Sequence, residues 1–296
     1  LQNPDFRSGY VAIVGKPNAG KSTLLNALLG THLSIATHKA QTTRHQITGI
    51  LSEEKMQVVF LDTPGLIKPK YKLQEHMMRF VEKAKRESDI ILLLSDVLDP
   101  KFENDDYNLL NGLGKKVIVV LNKIDKSTQE QVEKQFNYFE ELLKPTQKMA
   151  LSALEEKGLD HLKDEIYKLL PPGPAYYPDD ELSIHPMRFF ASELIREQLF
   201  LLYQEEVPYM SQVEVTAYDE DEKIDRIYAE VIVSRASQKG IIIGKGGLAL
   251  KRMGTNARKA IEKFTGKKVF LDLHVKVREG WRDKDSFLKT FGYTEE

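Results

Sequence analysis

Cysteine is absent from all 296 residues. That excludes disulfides, thiolate metal sites and cysteine nucleophiles, and it fits a reducing compartment. Neither sign of charge dominates: 43 Lys and Arg stand against 44 Asp and Glu, a formal net charge of −1. A nucleic-acid role must then rest on a local patch and not on bulk charge. Long apolar runs are missing too. The longest, "DIILLLSDVL", is far shorter than a bilayer crossing needs. "LQNPDFRSGY" holds no apolar stretch of signal-peptide length. We expect a cytoplasmic monomer; weak peripheral attachment at the inner face of the cell membrane is compatible with the same composition.

What is present divides into two styles. In the first half, "YVAIVG", "MQVVFLD", "DIILLLSDV" and "KVIVVLNK" are aliphatic runs, each closed by a turn or a polar residue. Amphipathic stretches such as "KSTLLNALLG" and "LQEHMMRFVEKAKRES" lie between them. This alternation predicts an α/β domain with a mostly parallel sheet and helices on both faces. A further strand around "QKMALSAL" and a helix "GLDHLKDEIYKLL" close it. "PPGPAYYPDDELSIHP" has five prolines, which forbid a regular helix. We place the first domain at residues 1–172, a solvated linker at 173–184 and a second domain at 185–296. The second is α+β in the order helix, two strands, two helices, strand, with a last helix from about Trp281, the only tryptophan.

"GKPNAGKS", Gly15 to Ser22, matches G-x-x-x-x-G-K-[ST] between a strand and a helix, the context of a phosphate-binding loop. Backbone N–H groups of Gly15, Lys16, Pro17, Asn18, Ala19 and Gly20, proline excepted, and of the helix start at Lys21, Ser22 and Thr23 can converge on phosphate oxygens. Lys21 reaches the β and γ phosphates, and Ser22 offers its hydroxyl to Mg²⁺. "DTPG" (Asp62, Thr63, Pro64, Gly65) ends the next strand: Asp62 is placed to hold the metal, and Gly65 N–H to meet the γ-phosphate. "QTTR" supplies a threonine to Mg²⁺ from a mobile loop; Thr43 is preferred and Thr42 is the alternative. "NKID" (Asn122, Lys123, Ile124, Asp125) selects the base. Guanine presents N1–H and N2–H₂ together to the Asp125 carboxylate, and adenine does not. "SAL" (Ser152, Ala153, Leu154) can present N–H groups to guanine O6. Catalytic contacts are expected from Asn18, Lys21, Thr43 and Gly65. His38 and His45 are expected as exposed polar residues.

A second glycine loop, "GKGG" (Gly244, Lys245, Gly246, Gly247), fits neither a phosphate-loop nor a dinucleotide spacing. A GXXG turn between two helices is the mark of a KH domain, where single-stranded nucleic acid lies close to the backbone. Basic residues crowd this region, with Lys239, Lys245, Lys251 and Arg252 nearest the loop, and Glu262 is the only acid between Arg235 and Lys268. Ile241, Ile242 and Ile243 are expected to form one apolar wall beside the bases. Trp281 has two readings, stacking on a base or packing at the start of the last helix; packing is preferred.

The motifs together resemble a Ras-like GTPase domain joined to a type II KH domain, and nearly the whole chain resembles the bacterial Era GTPases. The resemblance implies GTP hydrolysis with Mg²⁺, RNA binding at the 3′ end of 16S ribosomal RNA, and a role in small ribosomal subunit assembly. GTP and GDP, ribosomal RNA and the small subunit are its implied partners. Leu66 stands where Ras-type enzymes carry a water-positioning glutamine, so slow hydrolysis is implied. Asn18 stands where related GTPases help bind K⁺; bracing of the threonine loop is its equal alternative. Two rival readings are a GTP-dependent scaffold whose KH-like domain binds protein or membrane, and a P-loop kinase of small substrates.

Overall fold

A computed structural model describes residues 5–99 and 114–294. The chain divides into two units, Leu1–Pro69 with Met77–Ile184, and Lys70–His76 with His185–Glu296.

The first unit is built on a six-stranded sheet in the order β2-β3-β1-β4-β5-β6. Its strands are β1 (Arg7–Gly15), β2 (Ile47–Glu53), β3 (Met56–Asp62), β4 (Ile90–Asp96), β5 (Lys116–Asn122) and β6 (Gln147–Ala150). Neighbours run parallel except β2, which is antiparallel to β3. Parallel strands covered on both faces need continuous apolar runs. Val11–Val14, Ile90–Leu94 and Ile118–Leu121 supply them and are wholly buried. Each such side chain contributes about 1.5–3 kcal/mol. The described helices of this half are α1 (Lys21–Leu29), α2 (Lys72–Glu87), α3 (Gln129–Leu143) and α4 (Leu159–Leu169). Thr128 and Gln131 close a capping box at the start of α3. The parallel topology brings the ends of β1, β3 and β5 to one edge of the sheet, where ligands of such folds bind.

β2 was not expected from the sequence. "ITGILSE" mixes polar and apolar residues because its outer part is half exposed, so it lacks the buried-strand pattern of its neighbours.

The proline-rich segment, expected as a solvated linker, is mostly exposed but is also tied to the sheet. Gln57, wholly buried on β3, accepts the N–H of Tyr176 and of Tyr177 (2.7 and 2.9 Å) and donates to the Tyr177 carbonyl (2.8 Å). Ser8 donates to the Pro174 carbonyl (2.6 Å). Further on, Ile50 N–H donates to the Leu182 carbonyl (2.9 Å), and the Ser183 hydroxyl donates to Thr48 O.

The second unit packs α5 (Met187–Leu202), α6 (Ala236–Ile243) and α7 (Leu248–Thr265) on a three-stranded sheet of β7 (Ser211–Asp219), β8 (Ile224–Val233) and β9 (Lys268–Val277). β7 is antiparallel and β9 parallel to the central β8. Ile195, Leu199, Ile227, Val231, Met253 and Ile261 are among its core residues. Trp281 is wholly buried, donates Nε1–H to the Met210 carbonyl (3.0 Å) and meets Phe291 edge-on. It packs and presents no face to a base. The last helix, α8 (Asp285–Thr290), follows a 3₁₀ turn at Trp281–Asp283. Among the described residues no helix is long and apolar enough to cross a membrane.

Gln57→Ala is expected to lower stability by about 1–3 kcal/mol, the cost of stranding buried backbone groups. Urea denaturation measures that loss, and limited proteolysis should show faster cleavage between residues 172 and 178.

Candidate functional site

The loop from Gly15 to Ser22 joins β1 to α1. Gly20 caps α1 with φ 98°, and no side chain closes the helix N-terminus, which leaves its N–H groups open to an anion. Two close approaches require glycine here. A Cβ on Gly20 would lie 2.2 Å from Asn122 Nδ2, and one on Gly65 would lie 2.7 Å from Pro17 N. Asn122 itself is a latch. Its Nδ2 donates to the Ala19 carbonyl (2.8 Å) and its Oδ1 accepts the Ala153 N–H (2.9 Å), so the phosphate loop and the SAL turn share one buried side chain.

A pocket opens in front of this loop. It is lined by Pro17, Asn18 and Lys21–Thr23, by Gln41, Thr42 and Thr43, and by Gly65. Lys21 is buried, and its ammonium donates to the carbonyls of Gly15 (3.1 Å) and Lys16 (2.9 Å). Burial pushes its pKa from 10.5 down to about 8, against the pull of Asp62. Asp62, wholly buried, is pushed upward by the same desolvation; Lys21 and the hydroxyls of Ser22 and Ser34 oppose that. The Ser22 hydroxyl lies 2.8 Å from Asp62 Oδ2 and 2.9 Å from Thr43 Oγ1. Asp62 Oδ1 is buried with no hydrogen-bond partner among the described residues. The Ser22 and Thr43 hydroxyls and the Asp62 carboxylate, oxygen-bearing side chains from adjacent elements, fit a hard divalent cation such as Mg²⁺. Thr43, not Thr42, makes the Ser22 contact.

On the far side of Asn122, Ser152 donates to Asp125 Oδ1 (2.6 Å) and Lys123 Nζ donates to Asp96 Oδ2 (2.7 Å). Asp125 is exposed, so any desolvation that would sharpen base selection there would arise only once a base covered it. Leu154 is 71% exposed.

In the second unit, Gly244, Gly246 and Gly247 all have positive φ (69°, 59° and 76°), which lets the GKGG turn reverse between α6 and α7. Nothing lies within 4 Å of a Cβ built on Gly246 or Gly247, so the backbone there is open to approach. Lys245, Lys251 and Arg252 are exposed and Lys239 is half-buried.

A family profile described as a 50S ribosome-binding GTPase matches residues 10–123, and a KH-domain profile matches residues 206–282. GTPase Era of Staphylococcus haemolyticus is 41% identical over 296 residues, covering 99% of each chain. The chain belongs to the Era GTPase family. A crystal structure of Era in complex with MgGDPNP and nucleotides 1506–1542 of 16S ribosomal RNA is 38% identical, with a TM-score of 0.94 over 98% of this chain and 100% of that one. A variant of Aquifex aeolicus Era bound to GDP and AlF₄⁻ is equally similar, at 38% identity and a TM-score of 0.94.

Two expectations change for this Era-family chain, those for the isoleucine wall and for His45. Ile242 is wholly buried in the core of the second unit, so Ile241 to Ile243 do not form one wall. Successive helical residues point about 100° apart, and only Ile241 is fully outward. Leu248, directly after the turn and 69% exposed, is the apolar residue that the sequence reading missed. Its signal is its place off the buried phase of Met253, Ala257 and Ile261. Thr63 turns inward to donate to the Ile13 carbonyl (2.7 Å), and Leu66 packs in the core, so neither side chain faces the pocket. His38 is exposed, but His45 is half-buried with its ring 5.8 Å from Phe80.

A lysine held at about 8 binds fewer protons folded than unfolded between that value and 10.5. Its penalty is therefore full below about pH 8 and fades as pH rises through this window. In the nucleotide-free chain, Lys21→Met should be more stable than wild type at pH 7 by urea denaturation, with the gap closing toward pH 10.5. The same variant should lose about ten- to a hundred-fold in GTP affinity, read by titration of a fluorescent analogue.

Proposed function

We propose that this Era-family chain binds and hydrolyses GTP and uses the nucleotide state to control binding of single-stranded RNA, the 3′ end of 16S ribosomal RNA, during small ribosomal subunit assembly. One observation carries the nucleotide half: Lys21, Ser22 and Thr43 line a pocket, Ser22 bonds the buried Asp62 behind it, and Asp62 Oδ1 has no hydrogen-bond partner among the described residues, an arrangement that a polyphosphate with a divalent cation would complete. The Era crystal structure with MgGDPNP and 16S ribosomal RNA supports both halves.

In this reading, Ser22, Thr43 and Asp62 hold Mg²⁺, which when bound neutralises charge on the phosphate oxygens. Lys21 leaves its carbonyl partners for the β and γ phosphates. Water adds to the γ-phosphorus, and the bond to the bridging oxygen of GDP breaks, releasing phosphate. Gly65 brings its backbone within reach of the γ-phosphate because no side chain separates it from Pro17. Asp125 reads guanine, with Ser152 fixing one of its oxygens. Leu66 is packed in the core and positions no water, which supports slow intrinsic turnover. Asn18 is exposed with φ 63°, and its side chain has no hydrogen bond among the described residues, which favours a K⁺-binding role over bracing of the threonine loop. RNA lies on the open backbone of Gly244 to Gly247, with Lys245, Lys251 and Arg252 on its phosphates and Ile241 and Leu248 beside its bases.

Crosslinking and sequencing of bound RNA, with a GTP analogue and with GDP, tests the whole reading. Lys245→Asp combined with Gly246→Asp should abolish an RNA affinity that in wild type falls steeply with salt. Salt-insensitive binding, or binding kept by the variant, would favour a protein or membrane scaffold. Turnover in KCl should exceed that in NaCl at matched ionic strength by about tenfold, and Asn18→Ala should remove the difference. Equal wild-type rates would remove the K⁺ role.

A further inference from the structure

Asp62 Oδ2 accepts a second hydroxyl that no motif predicts. Ser34, 1% exposed, donates to it at 2.8 Å, from the segment just before the pocket-lining residues Ile35 to Thr37. Ser34 is itself held on both sides of its backbone. Asn26, on α1, accepts the N–H of Leu33 and of Ser34 (both 2.9 Å) through Oδ1 and donates through Nδ2 to the Ser34 carbonyl (2.8 Å). Leu33 and Ile35 on either side are buried.

The two hydroxyls on Asp62 have different duties. Ser22 also contacts Thr43, and both line the pocket. The Ser34 hydroxyl has no other partner among the described residues. Its bond therefore depends on no ligand and can hold the carboxylate in one orientation whether the pocket is filled or empty. That orientation leaves Oδ1 as the unsatisfied oxygen.

We propose that Ser34, braced by Asn26, is a positioning residue for the divalent cation: it fixes the Asp62 carboxylate beside the Ser22 and Thr43 hydroxyls, and it ties the start of the threonine loop to that carboxylate. This rests on the Mg²⁺–nucleotide reading above. Loss of the hydroxyl should weaken the cation and leave metal-independent nucleotide contacts intact.

The test is dissociation of a fluorescent GDP analogue from the full chain across a Mg²⁺ titration, with a parallel measurement in EDTA. Ser34→Ala and Ser34→Cys should each raise the Mg²⁺ concentration at half-effect by about three- to tenfold, the net worth of one typical hydrogen bond. Dissociation in EDTA should stay at the wild-type rate, and Ser34→Thr should recover the wild-type midpoint. A midpoint unmoved in whichever of the Ala and Cys variants folds would overturn the role of Ser34 alone. So would equal weakening with and without Mg²⁺, the mark of general loosening. A wild-type chain whose nucleotide release ignores Mg²⁺ would overturn the metal reading as well.

Discussion

Two opposite charges kept out of water govern the end of the parallel sheet. Lys21 and Asp62 attract one another, yet for each the cost of burial is the larger effect. The protein offsets that cost with neutral groups: carbonyls of the loop for the ammonium, serine hydroxyls for the carboxylate. The carboxylate's arrangement is incomplete, since Asp62 Oδ1 has no hydrogen-bond partner among the described residues. Buried polar groups left in this state concentrate at functional sites, because an unmet requirement is what a ligand can satisfy. A polyphosphate carrying a divalent cation meets both requirements together. The glycines at 20 and 65 belong to the same constraint, since a side chain at either would force apart the segments that enclose these charges.

A second constraint spreads the site across the sheet without loosening it. Asn122 bonds one way to the phosphate loop and the other way to the SAL turn. The groups proposed to meet phosphate and those proposed to meet the base follow different strands, β1 and β5, with β4 between them. A rigid parallel sheet fixes their spacing, and one amide side chain fixes their orientation. In the proposed assignment, base selection and phosphate binding are thereby properties of one body.

The sheet and the nucleotide motifs were legible because they combine strong local signals: apolar runs that end in glycine, aspartate or asparagine at a shared edge. The GXXG turn was legible for a similar reason, since three glycines mark positive φ. Side-chain direction was not. Three consecutive isoleucines read as one apolar wall, but helical geometry sends Ile242 inward and leaves Leu248 outside. Ser34, Asn26 and Asp96 were invisible because their roles depend on long-range partners and on no pattern of neighbours. β2 escaped because an outer strand carries a diluted apolar pattern, and the docked proline segment escaped because composition reports solvation and not the one buried glutamine that binds it.

That docking has a consequence for solubility. β2 is the last strand on its side of the sheet, and such a strand offers unpaired N–H and carbonyl groups to any passing chain. Here the Ile50 N–H and the Thr48 carbonyl are already taken by Leu182 and Ser183. The segment that takes them is rich in proline, which has no N–H to continue a ladder outward. A stretch that looks like a mere connector thus caps an exposed margin, and it does so in a form on which no further strand can easily be added.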